Sequence, residues 1–402
     1  MLHQDGSSLL DGASYTYDNA GNRTSKTNYI NGVTSNYGYD PLYQLTQVTQ
    51  GASTTESYSY DTVGNRLSSL SMPLYQYNAS NELTSNSSGS YSYDANGNTL
   101  ADASGKSYAW DFENRVVQAL VPGTNGGTTT FKYDPFGRRI QKSGPLGTTN
   151  YLYDGQNLVE EVDSNANMLA RYTQGVGTDQ PLSELRLGAT SYYQQDGLGS
   201  VTSLSNSSAA LAQTYTSDSF GKPTASTGTL VNPFQYTGRE FDSETGIFYY
   251  RARYFDPSAG RFLSEDSIRF RAGANFYPYV LNNPLRWRDP NGRKIDWGGL
   301  YDTWQHANST LDWLNCLSRM GYCLKGLQQT TSSLNGMSTS AVLNTALDDQ
   351  NRGNPNNTES NQRLNQCLRF DQNCAQGIQD CLKNIPLTPF EPPSSPLDLS
   401  SK

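Results

Sequence analysis

Long apolar runs are missing from this 402-residue chain. No stretch approaches the ~20 residues that cross a bilayer as a helix, so a helical membrane span is excluded. Ordinary aliphatic packing is scarce too, because only 35% of residues are hydrophobic. Positive charge is in deficit: the net charge is −8 and the pI about 4.9, which argues against nonspecific nucleic-acid binding. All five cysteines lie beyond residue 315, so the preceding chain has none with which to build a disulfide or a thiolate metal site. The first residues, Met1-Leu2-His3-Gln4-Asp5, lack the basic start and apolar stretch of a secretion signal. The expectation is export by another route, or a shortened descendant of a longer gene that stays cytoplasmic.

Tyrosine, in contrast, is abundant, with 28 copies. An aromatic-x-aromatic-Asp signature returns eight times at spacings of about twenty residues. Examples are Tyr15-Thr16-Tyr17-Asp18 with Gly21-Asn22-Arg23, Tyr58-Ser59-Tyr60-Asp61 with Gly64-Asn65-Arg66, and Phe131-Lys132-Tyr133-Asp134 with Gly137-Arg138-Arg139. The others begin at Tyr37, Tyr75, Tyr91, Tyr108 and Tyr151. Rings at i and i+2 of an extended chain share one face, and the small or polar residue between them faces solvent. Asp or Asn then caps a tight turn, and Gly or Asn accepts positive φ. Each copy reads as strand, turn, strand, and eight copies imply roughly sixteen short antiparallel strands. A stacked array of this kind excludes most enzyme folds for the first 160 residues. Each buried ring contributes about 1.5–3 kcal/mol if its hydroxyl finds a partner, and Asn, Ser and Thr are plentiful. The expected body is a wide, thin sheet.

A second signature covers residues 192–293. It includes Tyr193-Gln194-Gln195-Asp196-Gly197-Leu198-Gly199-Ser200, Thr237-Gly238-Arg239-Glu240, Tyr249-Tyr250-Arg251-Ala252-Arg253-Tyr254-Phe255-Asp256-Pro257, Gly260-Arg261-Phe262 and Asp289-Pro290-Asn291-Gly292. With the repeats before it, this stretch resembles the Rhs, or YD-repeat, family, whose relatives include the C component of Tc toxins and the teneurins. The resemblance runs from about residue 15 to 292. It implies a mainly β fold: a YD-repeat β-solenoid or spiral shell, here partial because about 150 residues of repeats precede the core, plugged by the core domain. The divisions expected are repeats over 1–160, the core over 161–292 and a variable tail over 293–402. The expectation is an open shell fragment, or one completed by another chain.

From Asn232 to Arg293 there are nine Arg and no Lys among the aromatics, with seven acidic residues interspersed. Arg stacks on rings and pairs bidentately with carboxylates, so this pattern reads first as a plug stitched by Arg–aromatic and Arg–Asp contacts. An anion-binding surface is the other reading. The resemblance also implies self-cleavage, since several members of the family are aspartyl autoproteases that cut after the terminal Asp-Pro-x-Gly. Two carboxylates sharing a proton around one water are needed. The matching positions are Asp266 and Asp289, with the junction at Gly292 and Arg293. Asp266-Ser267-Ile268-Arg269 departs from the usual upstream Asp-Pro-x-Gly, and Arg293 stands where Leu is common. The alternative is that both aspartates cap turns.

Beyond Arg293 the composition changes to Leu, Gln and Cys at helical spacing, with helices expected near 311–328 and 361–384. Cys316 and Cys323, then Cys367, Cys374 and Cys381, recur every seven residues and so line single helix faces. They are small core hydrophobes on a seam, disulfide staples that leave one thiol over, or a metal site. The last is the weakest reading, because zinc pairs sit closer together and no His is near. Thiol counting on the denatured chain separates these readings. His306 reads as a helical residue rather than a base, and no catalytic set, cofactor motif or phosphate loop is visible in the tail. The Pro-rich end, from Pro386 to Pro396, reads as extended.

The resemblance implies a secreted or cell-surface shell that encloses or presents the tail in contact or competition between bacteria. Its implied partners are an immunity protein and components of a secretion system. A second reading is a carbohydrate or cell-wall adhesion module using the Tyr/Asn/Arg-rich outer surface. A third is an enzyme residing in the tail.

Overall fold

The computed structural model describes residues 2–5, 8–124, 126–268 and 274–293, all within one compact unit, Met1–Trp297. The expected tail helices, the five cysteines, His306 and the Pro-rich end lie outside the described residues. Within them the chain is an antiparallel meander. One sheet of seven strands runs from Leu2–Asp5 to Arg66–Ser69, and a three-stranded sheet covers Tyr75 to Ser90. A fourteen-stranded sheet follows, from Ser92–Tyr93 to Pro223–Thr227, and passes residue 160 without a break. A separate four-stranded sheet comprises Glu240–Asp242, Ile247–Tyr250, Arg253–Asp256 and Arg261–Phe262. No helix among the described residues is long and apolar enough to cross a membrane.

Each repeat is built from local chemistry. In the Asp61 copy, the Gly64 N–H donates to the Asp61 carbonyl (3.1 Å) and the Asp61 N–H to the Asn65 carbonyl (2.9 Å). Oδ1 of Asp61 accepts the N–H groups of Val63 and Asn65, while Oδ2 accepts the Asn65 amide. The same set recurs at Asp18 and Asp94, and with Gln44, Arg115 and Arg138 taking the amide's place at Asp40, Asp111 and Asp134. This is a type I turn closed by a residue in the left-handed region, which shifts the register just before the second ring. Gly64 takes that place at φ +82, whereas Ala166 and Ala209 take it without glycine's freedom.

The first ring of most pairs is core: Tyr58, Tyr75, Tyr108, Phe131 and Tyr151 are buried, as are Tyr172 and Tyr193 in the later strands, while Tyr15, Tyr37 and Tyr91 are half-buried. The second ring ties neighbouring repeats together. The Tyr39 hydroxyl donates to the Arg23 carbonyl, Tyr60 to Leu45, Tyr77 to Arg66, Tyr133 to Val116 and Tyr153 to Arg139. Trp110 donates its indole N–H to Thr99 in the same position. Every such bond satisfies a half-buried polar group that would otherwise oppose ring burial.

The wall closes on itself. Asp11 accepts hydrogen bonds from Thr202 and Ser203, Tyr15 from the Gly197 N–H, and Glu56 from the N–H and hydroxyl of Ser219. The segment after residue 233 fills one end of this circuit and touches successive turns. Asn283 and Arg286 donate to Asn22, Asn282 to Gln44 and Gly64, and Asn275 to Asn65. Arg261 donates to Asn81, Tyr277 to Gly97, Tyr249 to Gly137 and Arg239 to Asp179. Arg253 stacks on Phe262 at 3.6 Å, Arg261 on Tyr277 at 4.5 Å and Arg286 on Trp287 at 4.2 Å. The stitched plug read from the nine arginines is what these contacts make. A cavity of about 1030 Å³ is lined by Arg23, Lys26, Glu56, Lys142 and Asp218 of the wall and by Tyr236 and Leu285 of the plug.

Arg139 joins wall to plug most deeply. It is 1% exposed, pairs with Asp242 at 2.5 Å and Glu240 at 3.4 Å, and lies over the ring of Tyr249 at 4.5 Å. Removing it leaves the buried Asp242 with Lys142 alone and Glu240 with a distant Arg239, so Arg139→Met is expected to cost about 3 kcal/mol in urea unfolding. Two other carboxyls set a pH dependence. Burial, with the Glu56 charge beside it, pushes Asp218 up to about 7, and burial pushes Glu184 up to about 7 against the pull of Arg186. The folded state therefore holds protons that the unfolded chain has released. Stability falls as pH climbs from the ordinary carboxylate range to about 7, and the loss is complete above that. Thermal midpoints are expected to be higher at pH 5 than at pH 8, and the double variant Asp218→Asn/Glu184→Gln flattens the difference.

Candidate functional site

The chain leaves the plug through Asp289-Pro290-Asn291-Gly292-Arg293, which folds as one more copy of the wall's turn. Asp289 Oδ1 accepts the Arg293 N–H (3.0 Å), the Gly292 N–H donates to the Asp289 carbonyl (3.3 Å), and Gly292 sits at φ +65. A side chain at Gly292 would run into the carbonyl of Tyr250. Asp266 also caps a turn, its Oδ1 accepting the Ile268 N–H at 3.0 Å.

The second oxygen of each carboxylate does something else. Both Oδ2 atoms lie against the same nitrogen, Nη2 of Arg253, at 2.7 Å for Asp266 and 3.3 Å for Asp289. All three side chains are buried. Turn capping and the meeting of the two aspartates are thus compatible, since they use different oxygens. Arg253 comes from the hairpin Ile247–Tyr250 and Arg253–Asp256, whose tip is Arg251 and Ala252. Its Nη1 donates to the Phe276 carbonyl and its Nε to the Gly292 carbonyl at 2.5 Å.

The Gly292–Arg293 peptide bond is consequently held at both ends, its oxygen on a guanidinium and its N–H on a carboxylate. Burial raises the Asp266 carboxyl above its ordinary value, with Arg253 pulling the other way, and burial lowers Arg253 itself against the opposing charges of Asp266 and Asp289. Two carboxyl groups on one guanidinium, one of them weakened as an acid by burial, with a cation on the carbonyl oxygen, are the equipment of acid–base amide chemistry.

All four residues expected at the junction, Asp266, Asp289, Gly292 and Arg293, come together around Arg253. Sequence reasoning missed Arg253. The Arg251-Ala252-Arg253 run stood among nine arginines, and nothing in spacing distinguishes the one that faces two aspartates. Among the described residues no group of three or more His, Cys, Asp and Glu could hold a metal.

Residues 10–285 match the family model of the teneurin YD-shell. The chain belongs to that family. Similar curated proteins are the tRNA3(Ser)-specific nuclease WapA of Bacillus spizizenii and the tRNA nuclease WapA of Bacillus subtilis, each 36% identical over 304 residues. That match covers 73% of this chain and 11% of either relative. The double-stranded DNA deaminase toxin A of Burkholderia cenocepacia is 25% identical over 72% of this chain and 21% of its own length. Among solved structures, the TcdB2-TccC3 complex superposes with a TM-score of 0.59 at 21% identity, over 71% of this chain and 17% of that one. This YD-shell chain thus spans about a tenth to a fifth of the length of these relatives. The expected Rhs/YD-repeat membership stands, and the shell fold with it.

Proposed function

We propose that this YD-shell protein is the scaffold of an Rhs-type toxin or cell-surface protein that encloses or presents the segment following Arg293, and that it cuts its own backbone at Gly292–Arg293. The observation that carries this reading is that the exit of the plug rests on Arg253 between Asp266 and Asp289. The nuclease and toxin names of the relatives support the same role. The ionised aspartate draws a proton from a water that adds to the Gly292 carbonyl carbon, and Arg253 bears the charge gathering on the oxygen. A carboxyl proton passes to the Arg293 nitrogen as the C–N bond breaks. One water is consumed, leaving a carboxyl at Gly292 and an amine at Arg293. Secretion or display at the cell surface, an immunity protein and a secretion apparatus are the setting this role implies.

Mass measurement on the purified full chain tests the cut. The expected products are 1–292 and 293–402, with Asp289→Ala and Asp266→Ala leaving one species. A single species of 44.3 kDa from the unmodified chain, unchanged by Asp289→Ala, removes the cleavage reading. Adhesion is the second reading, supported by Phe112 and Phe136, which stand 90% and 84% exposed on neighbouring turns. Retention on cell-wall polysaccharide, lost in Phe112→Ala/Phe136→Ala, would favour it.

A further inference from the structure

One of the wall's turns toward the plug breaks the repeat. Most of the others read Asp-x-x-Gly or a close variant and one, Asp154-Gly155-Gln156-Asn157, is a two-residue hairpin, whereas the segment from Gln174 to Pro181 reads Gln-Gly-Val-Gly-Thr-Asp-Gln-Pro. It is closed by the Gly175 N–H on the Gln180 carbonyl at 2.7 Å. Asp179 sits within it in the left-handed region, φ 60, and is 4% exposed. Its backbone presses on Gly238 so closely that a Cβ there would lie 2.6 Å from the Asp179 carbonyl oxygen. A departure from a repeat that buries a carboxylate marks a place where something besides wall-building is required.

What Asp179 holds is the hairpin tip beside the junction. Its Oδ1 lies 2.6 Å from Arg239 and 2.7 Å from Arg251, and its Oδ2 accepts a second bond from Arg251 at 3.2 Å. Arg251 also donates to the Gln156 carbonyl of the wall and to the Pro290 carbonyl of the exit segment. The next residue, Ala252, donates its N–H to the Asn291 carbonyl, and the one after is Arg253. A single buried carboxylate of the wall therefore sets where the hairpin tip lies against Pro290 and Asn291. Without it, two neighbouring guanidinium groups lose their shared counter-charge and repel.

We propose that Asp179 is a positioning residue for the junction, acting through Arg251 to present the Gly292–Arg293 bond to Asp266 and Asp289 only once the wall has closed around the plug. This rests on the reading of that bond as the one cut. Cleavage is thereby tied to completion of the shell. A plug folded without its wall keeps both aspartates and Arg253 but not the register of the exit segment.

The test uses the full chain in two arms. In the first, cleaved product is followed by mass spectrometry after refolding, for the unmodified chain, Asp179→Asn and Asp179→Glu. Asp179→Asn is expected to slow product formation roughly ten-fold or more, as displaced reacting groups do. Asp179→Glu keeps the charge and is expected to recover part of the rate. In the second arm, Asp266→Asn supplies an uncut parent, and hydrogen exchange is read on the amides of Gly292 and Arg293. Adding Asp179→Asn is expected to speed their exchange while the amides of Tyr58 and Tyr133, in the walls, keep theirs. Equal exchange with and without Asp179→Asn overturns the positioning role, and so does an unchanged cleavage rate. If the unmodified chain is never cut, the cleavage reading fails, and this inference falls with it unless the exchange arm shows Asp179 seating the exit segment.

Discussion

The hydrogen bond from the second ring of most repeats to the backbone of the repeat before it is the interaction on which this molecule depends. A thin sheet with few aliphatic residues must make its core from tyrosine, and tyrosine brings a hydroxyl into every layer. Tyr39, Tyr60, Tyr77, Tyr133 and Tyr153 all direct that hydroxyl to the same place, the carbonyl that opens the outgoing strand of the preceding copy. Each bond is worth only about 1 kcal/mol net. Its effect is larger than its energy, because leaving the hydroxyl unpaired would cancel much of the gain from burying the ring. The repeats are thus bound in order, each needing its neighbour, as expected for a linear array.

A linear array has ends, and here the ends meet across a plug. The first strands touch the turns near residues 197–219, while the segment from residue 234 onward bonds to turn after turn. The plug is held by polar contacts around its rim and by aromatic rings at its centre, where Tyr250, Phe255, Phe262 and Tyr279 cluster with Phe248. Buried arginines lie between these two zones. Arg139, Arg239 and Arg253 each place a cation against a ring while their nitrogens reach carboxylates or carbonyls. Lysine could not do both, since it has neither the flat face nor the fork. That accounts for arginine rather than lysine at Arg239 and Arg253.

Much of the wall was legible because its information is local. The ring spacing, the Asp cap and the Gly at the left-handed position each follow from a few consecutive residues. The Asn of Gly-Asn-Arg was only partly legible. It reads as a turn former, and in Asn22 and Asn65 it does bond the capping Asp. Its other end, however, meets Asn283 or Asn275 from more than 200 residues away. Nothing in the neighbourhood of Asn22 announces that partner. The aspartates of the junction were legible through resemblance, and their shared arginine was not, for the same reason.

The amino-acid sequence alone determined the strand-turn-strand unit, its face of rings, the polar wall and the family, because period-two alternation and turn chemistry act over a handful of bonds. Only the tertiary structure decided that Asp179 meets Arg239 and Arg251, which arginine of nine stands between Asp266 and Asp289, and where the circuit closes. Those outcomes depend on pairing charges and filling space between segments far apart in the chain. Coulomb attraction and close packing are set by distance in space, and a linear string of residues does not contain that distance until the chain has folded.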